Sequence, residues 1–388
     1  MRRTSGRYER TSVAGEEVKA FVPDPLPPAD PPLRLDPELS ALHDAARRSL
    51  TRLELAGAMV PSIEWFLYAF VRKEAVLSSQ IEGTQATLID LLAYEAEDEA
   101  GIAAEPDVEE VCNYLEASRY ALGELRRADG LPISMRLLNE AHRRLMRGAR
   151  GADRQPGEIR RSQNWIGGTR PGNAAFVPPP PQALAASLGA LERYVHADDE
   201  LAPLVRAGLV HVQFETLHPY LDGNGRIGRL LIALLLAHWG LLSQPLLYLS
   251  LFFKRHRQEY YRRLDGVRTG GDWEGWTAFF LEGVDSVAAE AAETARELFR
   301  LVSADRERVL AAPAATVMSL RLFELLPRHP ILTVSRAMKL LDASRPTAGK
   351  AVGVLAEAGV LVETTGRKRD RTFSYAAYLD RLRTGTEI

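Results

Sequence analysis

Hydrophobic and polar positions change their rhythm several times along this chain. Residues 1–35 are polar and then proline-rich (FVPDPLPPADPPLRL), which predicts an extended arm lying on a surface, with no core of its own. Asp36 followed by Pro37 reads as an N-cap with proline at the first helical position. From there to about Leu92 apolar residues recur at three- and four-residue spacing, as at Ile63, Phe66, Leu67, Phe70 and Val71, so the stretch is predicted helical. An acidic break, EAEDEAGIAAEPD, follows, and Asp107 is a second candidate N-cap, for a helix carrying Val108, Val111, Leu115 and Leu122. Helical texture then runs to Arg150.

The stretch IRRSQNWIGGTRPGNAAFVPPPP breaks that texture. Gln163–Ile166 and Ala175–Val177 are short and strand-like, a Gly/Pro/Asn turn separates them, and prolines stop the second. A hairpin is predicted here inside an otherwise helical region. Helices resume from Leu184 to about Leu301. Beyond roughly Ala311 the pattern predicts helices over Ser319–Leu326, Val334–Leu341 and, after a turn at Asp342–Pro346, Thr347–Ala358. A strand at Val360–Glu363, the basic loop TGRKRDR and a return strand at Thr372–Ala376 complete the outline of a winged helix-turn-helix. The expected fold class is therefore mainly α, in three regions: 1–105, 106–300 and 311–388. No internal repeat is visible.

Composition narrows the picture. With 388 residues, 46% of them hydrophobic, the chain can build two or three real cores. A net charge of −2 argues against a polyanion binder as a whole, while leaving room for a local basic patch. Cys112 is the single cysteine, so no intramolecular disulfide or cysteine-cluster metal site is expected, and a reducing cytoplasm fits. MRRTSGRYER is basic with no apolar stretch behind it, so no signal peptide is expected. The longest apolar run, Leu230 to Ala237, is too short to span a bilayer and reads as a buried helix.

The chemistry concentrates in HPYLDGNGRIGR, residues 218 to 229. An apolar helix through Leu204, Leu209, Phe214 and Leu217 ends near His218, and another starts near Arg226, so DGNG lies in a loop that opens a helix. Gly223 and Gly225 tolerate positive φ and let a ligand approach the backbone. Successive loop N–H groups ahead of a helix N-terminus form an anion nest. Arg226 and Arg229 share a helix face and suit bidentate phosphate contacts. Asp222 is a hard oxygen ligand suited to Mg²⁺, and His218 accepts a proton near neutral pH. Each element alone has a plain reading, as a turn, a cap or a surface ion pair. Together they are the parts of phosphoryl or nucleotidyl transfer. No GxxxxGK[ST] occurs, so this is not a P-loop.

HPYLDGNGRIGR resembles the signature of the Fic family, HPFx[DE]GNGRxxR, with Tyr220 in place of the usual Phe. The resemblance extends over roughly residues 60 to 290, through PGEIRRSQNWIGG, FVPPPP, FETLHPY and the GDWEGW stretch. It implies a protein adenylyltransferase that moves AMP from ATP to a Ser, Thr or Tyr hydroxyl of a target protein, or of itself, and releases pyrophosphate. Carried over by position, His218 would deprotonate the hydroxyl and Asp222 would hold Mg²⁺. Asn224, with the Gly223 and Gly225 backbone, would bind the phosphates. Arg226 would stabilise the leaving charge, Arg229 would meet the γ-phosphate, and Tyr260 or Tyr261 would flank the adenine.

Upstream, LSSQIEGTQATL reads first as a helix whose Glu82 precedes a terminating Gly83. In the Fic setting it is similar to the inhibitory pattern [ST]xxxE[GN], with Ser78, Glu82 and Gly83 in register. Glu82 would then pair with Arg229 where the γ-phosphate should sit, and in relatives of this kind it also serves removal of AMP. The predicted hairpin becomes a target-docking flap at Gln163, Asn164, Trp165, Ile166 and Gly167, to which an extended segment adds as a strand. In the C-terminal region Arg345 and Lys350 mark the third helix as a DNA reader, and Arg367, Lys368, Arg369 and Arg371 make a basic wing. Such modules also serve protein contacts, including homodimers. The rival reading is a DNA-binding regulator whose Fic core senses nucleotide.

Overall fold

A computed structural model describes residues 3–58, 63–97, 104–148, 153–367 and 371–388. The first finding departs from the expected arm. Strands β1 (Gly6–Val13) and β2 (Glu16–Pro23) pair antiparallel, from Gly6 opposite Pro23 to Val13 opposite Glu16. Ala14 and Gly15, at φ 50° and 85°, make the two-residue turn whose twist suits a tight hairpin. Only the segment after Pro23 is the proline-rich strap that was expected. The overlooked signal is the alternation of Val18, Ala20 and Val22, all turned inward.

Helix α1 (Pro37–Ala58) starts as expected, with Leu39 N–H donating to Asp36 Oδ1 at 2.8 Å. The helical stretch to Leu92 is two further helices, α2 (Ile63–Ile81) and α3 (Leu88–Glu97), with Glu82 and Gly83 in the loop between them. Next, α4 (Pro106–Arg126) begins at its proline, one residue before the expected cap. Pro106 already has helical φ at N1, and the Asp107 carboxylate instead accepts from the Gln85 N–H at 2.6 Å. Then follow α5 (Met135–Leu145), α6 (Pro181–His196), α7 (Pro203–Leu217), α8 (Asn224–His238), α9 (Ser250–Arg255), α10 (Arg257–Gly270) and the 39-residue α11 (Trp273–Ala311). The segment expected as a hairpin between α5 and α6 carries only one bridge: Ile166 and Phe176 exchange N–H···O bonds of 2.8 and 3.0 Å. Prolines 178–180 and a 3₁₀ turn at Pro171–Asn173 leave no room for longer strands.

The remainder holds α12 (Val317–Leu325), β3 (Ile331–Thr333), α13 (Val334–Leu341), α14 (Arg345–Glu357), β4 (Val362–Glu363), β5 (Thr372–Ser374) and α15 (Ala376–Leu382). Three helices and the return strands match the expectation. β3 joins them as a third strand in the antiparallel order β3-β5-β4, and α15 was not expected. Lys368 and Arg369 of the basic loop lie outside the described residues.

α7 and α8 run through the middle of the protein almost without exposed positions, which explains their lack of amphipathic contrast. α1 packs along α11, and one continuous apolar cluster extends from Leu33 to Leu382. Among the described residues no helix is long and apolar enough to cross a membrane.

Candidate functional site

Residues 218–223 form the loop between α7 and α8, residues 224–229 open α8, and the shape of this stretch follows from a few fixed contacts. His218 ends α7 in the left-handed region, at φ 48° and ψ 61°. A non-glycine residue there is strained and must be held by its surroundings. The clamp is Arg160: its guanidinium donates to the carbonyls of His218 (2.9 Å), Ser162 (3.1 Å) and Pro179 (2.5 Å). Asn224 braces the loop from inside. Its Oδ1 accepts from Tyr220 N–H and its Nδ2 donates to Tyr220 C=O, both at 2.8 Å. Asn224 thus spends one amide hydrogen and one oxygen lone pair on the Tyr220 backbone.

Tyr220 is fully buried, stacks on His142 at 3.9 Å and donates to Asn139 Oδ1 at 2.8 Å. The hydroxyl that distinguishes it from Phe therefore has an acceptor. His142 is fixed in one tautomer. Its Nδ1 accepts from Gly157 N–H (2.8 Å), so Nε2 carries the proton and donates to Asp222 C=O (2.9 Å). Burial holds its pKa down to about 4.

Gly223, at φ 75°, precedes α8, and Ile227 is the first N–H to find an intrahelical acceptor. Among the described residues the N–H groups of Asn224, Gly225 and Arg226 have no acceptor, as the first turn of a helix leaves them. Beside this turn stands the Glu82 carboxylate: a Cβ at position 225 would collide with it. Glu82 Oε1 accepts from Arg229 Nη2 at 2.7 Å. Arg229 also donates to Ser78 Oγ (2.9 Å) and Ser78 C=O (2.8 Å). Burial opposes charge on Glu82, but Arg229 and then Arg226 outweigh it and hold the carboxyl below its ordinary pKa. Gly83, at φ 103°, permits the turn that sends Glu82 inward. Ser78, Glu82 and Gly83 are thus brought together on Arg229, 147 residues downstream of Glu82.

The two arginines of the motif do not act as one clamp. Arg226 turns away to Glu110, with Nη1 to Oε2 at 3.2 Å and side chains 4% and 5% exposed. Glu110 also accepts from Thr84 Oγ1 at 3.1 Å, in the loop that carries Glu82 and Gly83. Sequence reasoning missed Glu110, because nothing local distinguishes a helical glutamate that faces inward. Asp222 is half exposed. Its Oδ1 takes the Gly223 N–H at 2.6 Å and stands 3.9 Å from Arg226 Nη2.

His218 Nδ1 is buried near the Glu215 backbone, with no well-formed hydrogen bond among the described residues. Burial first, then the charges of Arg268 and Arg160, lower its pKa to about 3, so the ring is neutral with a nitrogen lone pair available. Arg268, also missed, donates to Thr216 Oγ1 (3.2 Å) and Glu215 C=O (3.3 Å) and lies over the Phe176 ring at 3.9 Å. Tyr260 is corrected. It is buried among Phe253, His211 and Trp276, and its hydroxyl is 2.9 Å from His211 Nε2, so it belongs to the core. Its neighbour Tyr261 is exposed and feels the charges of Glu82 and Arg229. In the flap, Gln163 Nε2 donates to Pro178 C=O (2.8 Å) and Asn164 Nδ2 to Tyr220 C=O (3.2 Å), which ties the flap to the loop. Trp165 and Gly167 are exposed. Arg345, Lys350 and Arg367 are exposed and far along the chain from this site.

Comparison with known proteins agrees with this geometry. Residues 40–123 match the Fic/DOC family N-terminal region and residues 132–236 the Fic/DOC family. The chain thus carries a Fic/DOC N-terminal region followed by a Fic/DOC domain. Among curated relatives, Protein adenylyltransferase Fic of Drosophila erecta is 32% identical over 142 residues, 36% of this chain and 26% of that one. The Culex quinquefasciatus protein of the same name is 30% identical over 152 residues, 39% and 27% of the two chains. The chain thus spans about a quarter of the length of these relatives. A Fic family protein from Desulfovibrio desulfuricans G20 shares the fold, with a TM-score of 0.55, 20% identity and coverage of 89% of this chain and 97% of that one. Fic-1 of C. elegans gives a TM-score of 0.50 at 23% identity, covering 68% and 75%.

Proposed function

We propose that this protein transfers AMP from ATP to a hydroxyl of a protein, itself included, and that Glu82 inhibits the reaction in cis. The acceptor oxygen attacks the α-phosphorus, a P–O bond forms, the bond to the β-phosphate oxygen breaks, and pyrophosphate leaves. The hydroxyl proton passes to His218, whose neutral ring suits a base. The first-turn N–H groups of α8 cradle the phosphates. Arg229, once free of Glu82, meets the γ-phosphate. Arg226 supports the leaving charge from its buried position. Asp222 would hold Mg²⁺, which supplies charge neutralisation beside the phosphates. Mg²⁺ at such sites is bound by one or two carboxylates together with phosphate oxygens, so a half-exposed Asp222 suits it. Tyr261 flanks the adenine in place of Tyr260. Glu82 also orients water for removal of AMP when that reaction runs.

The observation that carries the reading is the Glu82 carboxylate beside the first turn of α8, paired with Arg229. An anion held by a buried guanidinium next to a helix N-terminus stands where a phosphate would bind. Breaking this pair costs roughly 2–3 kcal/mol once the water reaching Glu82 is discounted. Glu82→Gly should therefore raise self-labelling from α-labelled ATP roughly 30- to 150-fold, with no label appearing from γ-labelled ATP. Wild-type labelling by this variant would refute the inhibition. Label from the γ-phosphate would mean a kinase.

The region after Ala311 is proposed as a winged helix with a separate task. Arg345, Lys350 and Arg367 stand on its exposed face, which supports contact with DNA phosphates or with a second copy of the chain.

A further inference from the structure

We infer that the N-terminal β1–β2 hairpin is a built-in brace for the flap, with Glu16 as its latch and positioning residue. The inference rests on the transfer reading, in which the flap aligns an extended segment of the acceptor protein.

The hairpin meets the flap in three ways. Phe21 N–H donates to Val177 C=O at 2.9 Å, so β2 lies along the 175–177 arm on the side turned away from Ile166. Val177 completes a small apolar cluster with Val13, Val18 and Ala20 of the hairpin, with Ala174 packed against it. This cluster is separate from the main core and holds only hairpin and flap residues. At the tip, the Glu16 carboxylate accepts from Arg170 Nη1 (2.7 Å) and Gly172 N–H (3.0 Å). That tip is already knotted, because Asn173 Oδ1 accepts from the N–H groups of Thr169 and Arg170, each at 3.0 Å. Glu16 therefore grips a rigid turn and not a loose loop.

The hairpin is itself anchored to the helices around the site. Ser5 Oγ donates to Val267 C=O of α10 (2.6 Å), Arg3 pairs with Glu274 of α11 (2.7 Å), and Gln213 of α7 donates to Asp24 C=O (2.9 Å). Load applied to the flap thus passes through β2 into the scaffold that carries His218. A second route joins them, since Phe176 lies between Phe21, at 6.4 Å, and Arg268, at 3.9 Å, which contacts Thr216 and the Glu215 carbonyl.

Strand geometry then decides which edge stays open. Ile166 directs its N–H and C=O at Phe176, so Trp165 and Gly167 direct theirs the other way. Neither of those N–H groups has a partner among the described residues. With the 175–177 arm taken by β2, the 165–167 edge is the one left for an acceptor strand. A flap pinned on one side presents that edge in a single position, which lowers the ordering cost of docking.

The test uses the full-length chain. In Glu16→Ala, hydrogen exchange at the flap amides of Ile166 and Phe176 should rise about five- to tenfold, while α7 exchange stays as in wild type. Glu16→Gln keeps an acceptor for Gly172 N–H and should fall between. With Glu82→Gly added for signal, the rate of self-labelling should drop by a similar factor at unchanged KM for ATP. Wild-type flap exchange in Glu16→Ala overturns the brace. A KM for ATP that worsens in step with the rate overturns it too, because the hairpin would then be supporting the whole site. Faster flap exchange in a chain that transfers no label in any variant supports the brace and counts against the transfer reading alone.

Discussion

His218 shows how a single position can be held against its own preferences. Its backbone is left-handed, its Nδ1 has no well-formed hydrogen bond among the described residues, and burial with two nearby arginines lowers its pKa to about 3. In the folded chain the ring binds its proton only in strong acid, whereas an exposed histidine binds it near pH 6.5. As pH falls from 8 to 5 the base therefore stays neutral. The kcat/KM for transfer should show no acid limb with a midpoint near 6.5. His218→Ala should lose transfer by roughly 10²–10⁴ with an unchanged circular-dichroism spectrum. A profile that falls with a midpoint near 6.5 would mean that ordinary histidine chemistry survives at this site.

Pairs of helices meet at the site through charges that neither helix displays alone. α2 delivers Ser78, and the loop after it delivers Glu82, to Arg229 of α8, while α4 delivers Glu110 to Arg226 one turn earlier. The second pair is dry on both sides, so removing one partner strands a buried charge. Glu110→Gln should cost on the order of 3 kcal/mol and lower the melting temperature clearly. Glu82→Gly should lower it less, because its carboxylate reaches water and Arg229 keeps both Ser78 acceptors. Equal melting shifts for the two variants would show that Arg226 tolerates the loss of its partner. Thr84, bonded to Glu110, makes the Glu82 loop and this pair neighbours in one network.

Across the molecule, the region after Ala311 is not an appendage. Leu322, Phe323, Leu332 and Tyr378 join the same apolar cluster as α2 and α11, and Tyr375 donates to Asp305 of α11 at 2.6 Å. The segment after α15 reaches α2: Gln80 Nε2 donates to Thr386 C=O at 2.8 Å, two residues before Glu82. A chain ending at residue 311 would expose that apolar surface. It should melt at lower temperature than the full chain and aggregate at concentrations the full chain tolerates, as light scattering during a thermal ramp would show. A truncated chain with the full melting temperature would mean that the two regions fold independently.

Much of this was legible in the residues alone. The α1 cap at Asp36, the bounds of α13, the change of texture at Ala311 and the loop between α7 and α8 all follow from local signals: cap chemistry, helical period, proline and glycine. These act within a few residues, so sequence carries them. The juxtaposition of Ser78, Glu82 and Gly83 with Arg229 was reached by family resemblance, because no local rule links positions so far apart. Glu110, Arg160 and Arg268 were invisible, since a charged residue turned inward has the same neighbours in sequence as one turned to water. Tyr260 was misplaced for the same reason, as one step along α10 separates the core from the site. The β1–β2 hairpin hid behind its prolines and its charged outer face, and its apolar side has meaning only once Val177 packs against it. Pattern along the chain determined which elements form. Which of their side chains meet was decided by packing in three dimensions, where a buried charge must find its partner.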